Sequence, residues 1–131
     1  MTPELTVLAL TGLLQALQFV TYSVSANRDV GLGYSMSARD RDPSRTLSIR
    51  SGRLQRAMNN HFEGMILFTL TVVVVTLSDQ STPLTATCAW VYLAARVLYV
   101  PAYVMGLRPG RSLVWCVAFG ATMLMLISTL I

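Results

Sequence analysis

"RLQRAMNNHFEGMILF", residues Arg53 to Phe68, sends two arginines, two adjacent asparagines, a histidine and a glutamate straight into one of the most apolar stretches of the chain. The uncharged run that follows, Met65 to Leu77, makes a helix about 20 Å long. That is short of a hydrocarbon core of roughly 30 Å. A helix that crosses the bilayer here must therefore draw Asn60 and Glu63 below the interface, where a lipid-facing carboxylate is costly. Arg56, Asn60 and Glu63 fall at i, i+4 and i+7, so they share one stripe of the helix, and Arg53 continues it outward. The stripe must face protein or a wet cavity. Two readings follow: Asn60 and Glu63 lock neighbouring helices while Arg56 snorkels to the surface, or the stripe walls a polar pocket open to the cytoplasm. His61 lies off the stripe by about 100° and is expected at the interface.

The surrounding composition agrees with a membrane setting. The 131 residues are 53% hydrophobic and 12% charged, which is not the balance of a soluble domain. Apolar runs occur at Leu5 to Ala26, Ala57 to Leu77, Pro83 to Val104 and Leu113 to Ile131, each near the roughly 20 residues that cross a bilayer as a helix. Backbone polar groups find no water in lipid, so these runs must be helical. The expected fold is all-α, an integral membrane bundle of four transmembrane helices that forms one domain over residues 1–131.

All ten basic residues are arginine. Seven lie from Arg28 to Arg56, and Arg108 and Arg111 lie in the third connection, whereas the second, "SDQSTP", has none. By the positive-inside rule the first and third loops face the cytoplasm and both termini face outward. The start "MTPELTVLAL" lacks the basic n-region of a secretory signal, so the first run is expected to be retained. The first loop mixes Gly, Ser, Pro and charge and reads as a solvent-exposed connection; its "GLG" has neither the preceding strand nor the third glycine of a dinucleotide fingerprint. Cys88 and Cys116 belong near opposite ends of their spans, too far apart for a disulfide. Both are expected to be packing residues, and with no His or Cys at ligand spacing no metal site is expected. No nucleic-acid partner is expected either.

A second polar stripe runs along the third span, where Tyr92, Arg96, Tyr99 and Tyr103 share a face. An interfacial tyrosine belt accounts for Tyr103 but not for Arg96, about two turns inside. That guanidinium needs an acceptor, and Glu63 is expected to supply it as the one carboxylate inside a span. Arg108 and Arg111 follow at the same depth. Several arginines favour carboxylates or phosphates, which they grip in bidentate fashion, while Glu63 favours an amine. A small zwitterion with more than one carboxylate meets both demands, and apolar walls would admit a lipid-like partner from the bilayer.

These residues also resemble a known family. "RAMNNHFE", Arg56 to Glu63, is similar to the R-A-x-x-N-x-x-E signature of the MAPEG proteins, the membrane-associated proteins in eicosanoid and glutathione metabolism. "ARVLYVPAYVMGLRPGRS" resembles their span-three block, in which two aromatic or histidine positions four apart precede an Arg-Ser pair. The first loop looks most like that of bacterial members, which implies a bacterial inner membrane. The resemblance covers essentially the whole chain and implies a homotrimer, with glutathione as co-substrate bound between subunits near the cytoplasmic face.

By position, Arg56, Asn60, Glu63 and Tyr103 would hold the tripeptide, with Arg96, Arg108, Ser112 and Arg28 around it. Arg111 would stabilise the thiolate, and Tyr99 would either donate a hydrogen bond to the sulfur or simply pack. The stretch between Tyr103 and the Arg-Ser pair varies in length among relatives, so Arg108 competes with Arg111 for the catalytic role. Asn59 stands where some relatives carry a further arginine. The implied activity is that of a glutathione-dependent transferase or peroxidase acting on a lipophilic small-molecule substrate that arrives from the membrane lipids. The competing readings are a non-catalytic lipid-binding or scaffold protein of the same fold and a small four-span transporter. The last would place its membrane carboxylate at the middle of the first span, which has no ionisable group between Glu4 and its end.

Overall fold

The computed structural model describes residues 1–43 and 45–131. Among these described residues five helices follow one another: α1 (Pro3–Val30), α2 (Leu32–Ser35), α3 (Ile49–Leu77), α4 (Pro83–Val104) and α5 (Gly110–Ser128). All but the single turn of α2 are long and apolar enough to cross a membrane.

Local chemistry sets the helix ends. Thr2 caps α1 by accepting from the Leu5 amide at 3.3 Å, and Pro3 occupies the first turn, where a missing N–H does no harm. Ser48 caps α3 in the same way through the Ser51 amide at 3.1 Å. Thr82 and Thr85 exchange side-chain and backbone bonds as a capping box at the start of α4. The Ser48 cap explains why α3 begins at Ile49, well before Ala57: the arginine-rich segment is continuous with the span as one helix, with Ser51 and Leu54 buried on one side and Ser51 Oγ 2.5 Å from Ser25 Oγ of α1. Buried hydroxyls turn back onto their own helices. Thr11, Thr71 and Thr122 donate to the carbonyls of Val7, Leu67 and Ala118 at 2.7, 2.9 and 2.9 Å, which satisfies them without water.

The helices run antiparallel in sequence. At one end of the bundle, Glu4 at the start of α1 accepts from Ser81 Oγ at 3.1 and 2.9 Å and from Thr85 Oγ1. At the other end, Arg53 Nη1 donates to the Val104 carbonyl at 3.0 Å. Glu4, in the first turn of α1 and just outside the apolar run, is completely buried, and the Ser81 and Thr85 hydroxyls satisfy its carboxylate there. α4 packs against α5 and α1 against α3, with further contacts joining the pairs. The core comprises Val7, Phe68, Val72, Tyr92 and Met125 with small residues such as Ala89, Ala95, Ala118 and Ala121, whose size lets α4 and α5 approach closely. Large apolar residues including Leu13, Leu17, Phe19, Ile66, Leu70 and Leu98 point outward, a surface suited to lipid or to neighbouring subunits rather than water.

Candidate functional site

At the end of the bundle marked by Arg53 and Val104, three helices leave a cavity of about 600 Å³. α3 contributes Arg56, Asn59, Asn60 and Glu63; α4 contributes Tyr99 and Tyr103; α5 contributes Arg111, Ser112, Trp115 and Cys116. The helical stripe read from the sequence thus lines an open cavity and is not sealed against a neighbouring helix. Glu63 and Arg56 are exposed, Asn60 is half-buried, and Tyr99 is buried.

Tyr103 organises the cations. Its hydroxyl accepts from Arg56 Nε at 3.0 Å, and the Arg111 guanidinium carbon lies 4.9 Å from its ring centre. Both guanidinium groups thus lie within cation–π range of the one ring, at 5.8 Å for Arg56 and 4.9 Å for Arg111. Tyr99 packs against it with ring centres 5.7 Å apart and planes tilted by 53°. Arg96 lies behind Tyr99, its guanidinium carbon 4.6 Å from that ring, and its Nη1 donates to Asn60 Oδ1 at 3.0 Å. The expected acceptor, Glu63, is not its partner. Asn60 occupies that role because it lies on the side of α3 that meets α4, while Glu63, three residues on, turns to the open cavity.

The remaining candidates divide. Arg108 lies in an adjoining polar cavity of about 280 Å³ that also touches Arg53, Arg56, Tyr103 and Arg111. Arg28 is exposed on the last turn of α1 and lines neither cavity within one chain. Gly106 closes the turn after α4 with φ +70°, and a Cβ there would lie 3.1 Å from Arg53 Nη1. Both its conformation and the close approach of Arg53 call for glycine.

Two expectations are corrected. His61 is fully buried rather than interfacial, with Nδ1 2.9 Å from Gln15 Oε1; being off the stripe turns it toward α1, not toward the surface. Cys116 is not a packing residue but part of the cavity wall, whereas Cys88 does belong to the core. Trp115 and Cys116 were not singled out as site residues, yet a signal existed: they stand four residues after Arg111 and Ser112, the spacing that puts all four on one face of α5. Among the described residues, no group of three His, Cys, Asp or Glu side chains is placed to hold a metal ion.

The site can therefore hold a zwitterion: guanidinium groups for carboxylates, a carboxylate for an amine, and a half-buried arginine beside a tyrosine for developing negative charge. Among families of known proteins, the model of the MAPEG family matches residues 4–131. No curated protein matches the chain. The chain belongs to the MAPEG family and is an integral membrane protein, and this membership supports a glutathione-related function of the transferase or peroxidase kind at the level of the family.

Proposed function

We propose that this MAPEG-family chain is a membrane-embedded glutathione-dependent transferase or peroxidase for lipophilic electrophiles. It would be a single transmembrane domain assembled as a homotrimer in a bacterial inner membrane, with the first and third loops in the cytoplasm. The observation that carries the reading is the cavity shared by Arg56, Asn60 and Glu63 of α3, Tyr99 and Tyr103 of α4, and Arg111 of α5. Such a set is costly to keep beside hydrocarbon and has little use in a purely structural contact.

Each residue has a task that its geometry supports. Arg56, held by Tyr103, grips a carboxylate of the tripeptide. Glu63 takes the amine. Asn60 offers its amide N–H groups to the peptide while Arg96 holds its oxygen, so Arg96 acts through Asn60 as a positioning residue. Arg28 would reach the cavity only from a neighbouring subunit, in keeping with a site between subunits. Arg111, with the Ser112 hydroxyl beside it, stabilises the thiolate, and Tyr99 orients Tyr103 and is available to the sulfur.

The chemistry asked of the protein is small. A free thiol of pKa about 8.5 is mostly protonated at neutral pH, and only the thiolate attacks. A guanidinium within hydrogen-bond reach favours the thiolate, and each unit of lowering corresponds to about 1.4 kcal/mol. The sulfur then attacks a substrate entering from the lipid. At an electrophilic carbon it forms the thioether as the leaving group departs with the bonding pair. At a hydroperoxide oxygen it breaks the O–O bond, releasing the alcohol once its alkoxide takes a proton, and leaves a glutathione sulfenic acid that a second glutathione thiol converts to the disulfide and water.

Calorimetry on the detergent-purified protein tests the reading. Glutathione binding that disappears in Glu63→Ala and Arg56→Ala supports it. No binding at millimolar glutathione would leave a lipid-binding or scaffold protein of the same fold.

A further inference from the structure

Where the turn after α4 leads into α5, the smaller polar cavity of about 280 Å³ is walled by four arginines: Arg53 and Arg56 of α3, Arg108 of the connection and Arg111 of α5. Among the described residues no carboxylate lines it; Glu63 lines the larger cavity but not this one. All four side chains can be reached from outside. Arg56 and Arg108 are exposed, and Arg53 and Arg111 are half-buried. Two of the guanidinium groups are held by one bond each, Arg53 through Nη1 to the Val104 carbonyl and Arg56 through Nε to the Tyr103 hydroxyl, both at 3.0 Å. Each keeps further N–H groups for an outside partner. The start of α5 adds to this field. The 19-residue helix begins at Gly110, between Arg108 and Arg111, and its N-cap is Pro109, which has no side-chain acceptor for the first-turn amides. An uncapped helix start of this length carries roughly half a positive charge.

Four guanidinium groups around so small a space repel one another unless an anion lies between them. They converge from two helices and a loop, which suits an oxyanion with several acceptor oxygens in three dimensions better than a planar carboxylate with two. Leu107 is the only large aliphatic residue on the wall, so the space fits a head group and not a hydrocarbon chain. We infer that this cavity is an anion site separate from the tripeptide cavity, and that its ligand is a phosphate monoester. The same group can arrive on a soluble molecule or as the head group of an anionic phospholipid. Arg56 and Arg111 wall both cavities. Resting on the glutathione reading above, the two ligands therefore draw on the same cations and oppose each other. Phosphate in the smaller cavity weakens glutathione binding, and glutathione weakens phosphate by the same factor. The anion site itself stands without that reading.

The test uses radiolabelled inorganic phosphate, dialysed to equilibrium against the purified protein in detergent at an ionic strength fixed with chloride. Phosphate should bind saturably, one per chain. Arg53→Gln should weaken it about tenfold, the factor expected for the loss of a charge-assisted hydrogen bond, and Arg53→Lys, which keeps the charge, should recover part of that loss. Arg108→Gln, at an exposed position, should weaken phosphate to a similar extent and guards against misfolding of the Arg53 variants. Saturating glutathione should weaken phosphate about fivefold. Nanodiscs separate the two sources: if phosphatidic acid added to phosphatidylcholine abolishes phosphate binding, the site takes a lipid head group, and if phosphate still binds, it takes a soluble ester. Binding that does not saturate, or that neither Arg53→Gln nor Arg108→Gln weakens, overturns the site. Phosphate that binds as stated but is indifferent to bound glutathione overturns the antagonism. Phosphate binding as stated in a protein that binds no glutathione leaves the anion site standing, and the glutathione reading falls.

Discussion

Replacing Arg111 with glutamine should raise the pKa of the bound glutathione thiol by about one unit. The guanidinium lies 4.9 Å from the Tyr103 ring on the wall of a water-open cavity and is half-buried. A thiolate about 4 Å from such a charge gains between roughly 1 kcal/mol in water and about 4 kcal/mol at an effective dielectric constant near 20. The exposure of this wall favours the lower part of that range, about 1–2 kcal/mol, or roughly one pKa unit. The sign follows from the charge: a cation favours the deprotonated form, so the thiol falls from about 8.5 to about 7.5 in the native protein. At pH 7 roughly a quarter of bound glutathione is then thiolate, against about 3% in the variant. The defect is therefore about eightfold at pH 7 and disappears above about pH 9.5, where both thiols are ionised. Ultraviolet absorbance of the bound thiolate, titrated across pH, reads this directly. An identical titration in native protein and Arg111→Gln would refute the assignment, and an upward shift in Arg108→Gln instead would move the role to Arg108.

Three further outcomes are expected. Asn60→Ala leaves the Arg96 guanidinium without the one hydrogen-bond partner it has among the described residues and should destabilise the bundle by about 2 kcal/mol, seen as a lowered thermal midpoint in detergent, with Asn60→Asp largely restoring it. Glu4→Ala removes the acceptor of Ser81 and Thr85; it should lower the midpoint by a similar amount, about 2 kcal/mol, yet leave glutathione affinity unchanged in calorimetry, because Glu4 sits at the opposite end of the bundle. Gly106→Ala meets both a left-handed backbone and the Arg53 guanidinium, so it should cost about 1–2 kcal/mol and weaken glutathione binding by disturbing the end of α4 beside Tyr103.

The main lines of the fold were legible because hydrocarbon imposes few alternatives: an apolar run of span length has to be helical, and Pro83 preceded by Thr82 marks the start of α4 by its capping chemistry. The start of α3 was not legible from hydropathy, since its first turns lie outside the apolar run, although Ser48 carried the signal. In the candidate site, the stripes of Arg56, Asn60 and Glu63 and of Tyr99 and Tyr103 were visible as helical spacing, and they do converge on one cavity. Spacing within one helix gives a face but not the partner across from it. Arg96 therefore met Asn60 rather than Glu63, and His61 turned inward to Gln15. Trp115 and Cys116 escaped notice because apolar residues in an apolar helix carry no contrast unless counted from Arg111.

The most direct test is the structure of the purified protein soaked in glutathione. The tripeptide should lie in the cavity bordered by α3, α4 and α5, its amine on Glu63, a carboxylate on Arg56, and its sulfur within hydrogen-bond reach of Arg111. A cavity occupied by lipid at saturating glutathione, or closed by a neighbouring subunit pressed dry against Glu63, would contradict the account.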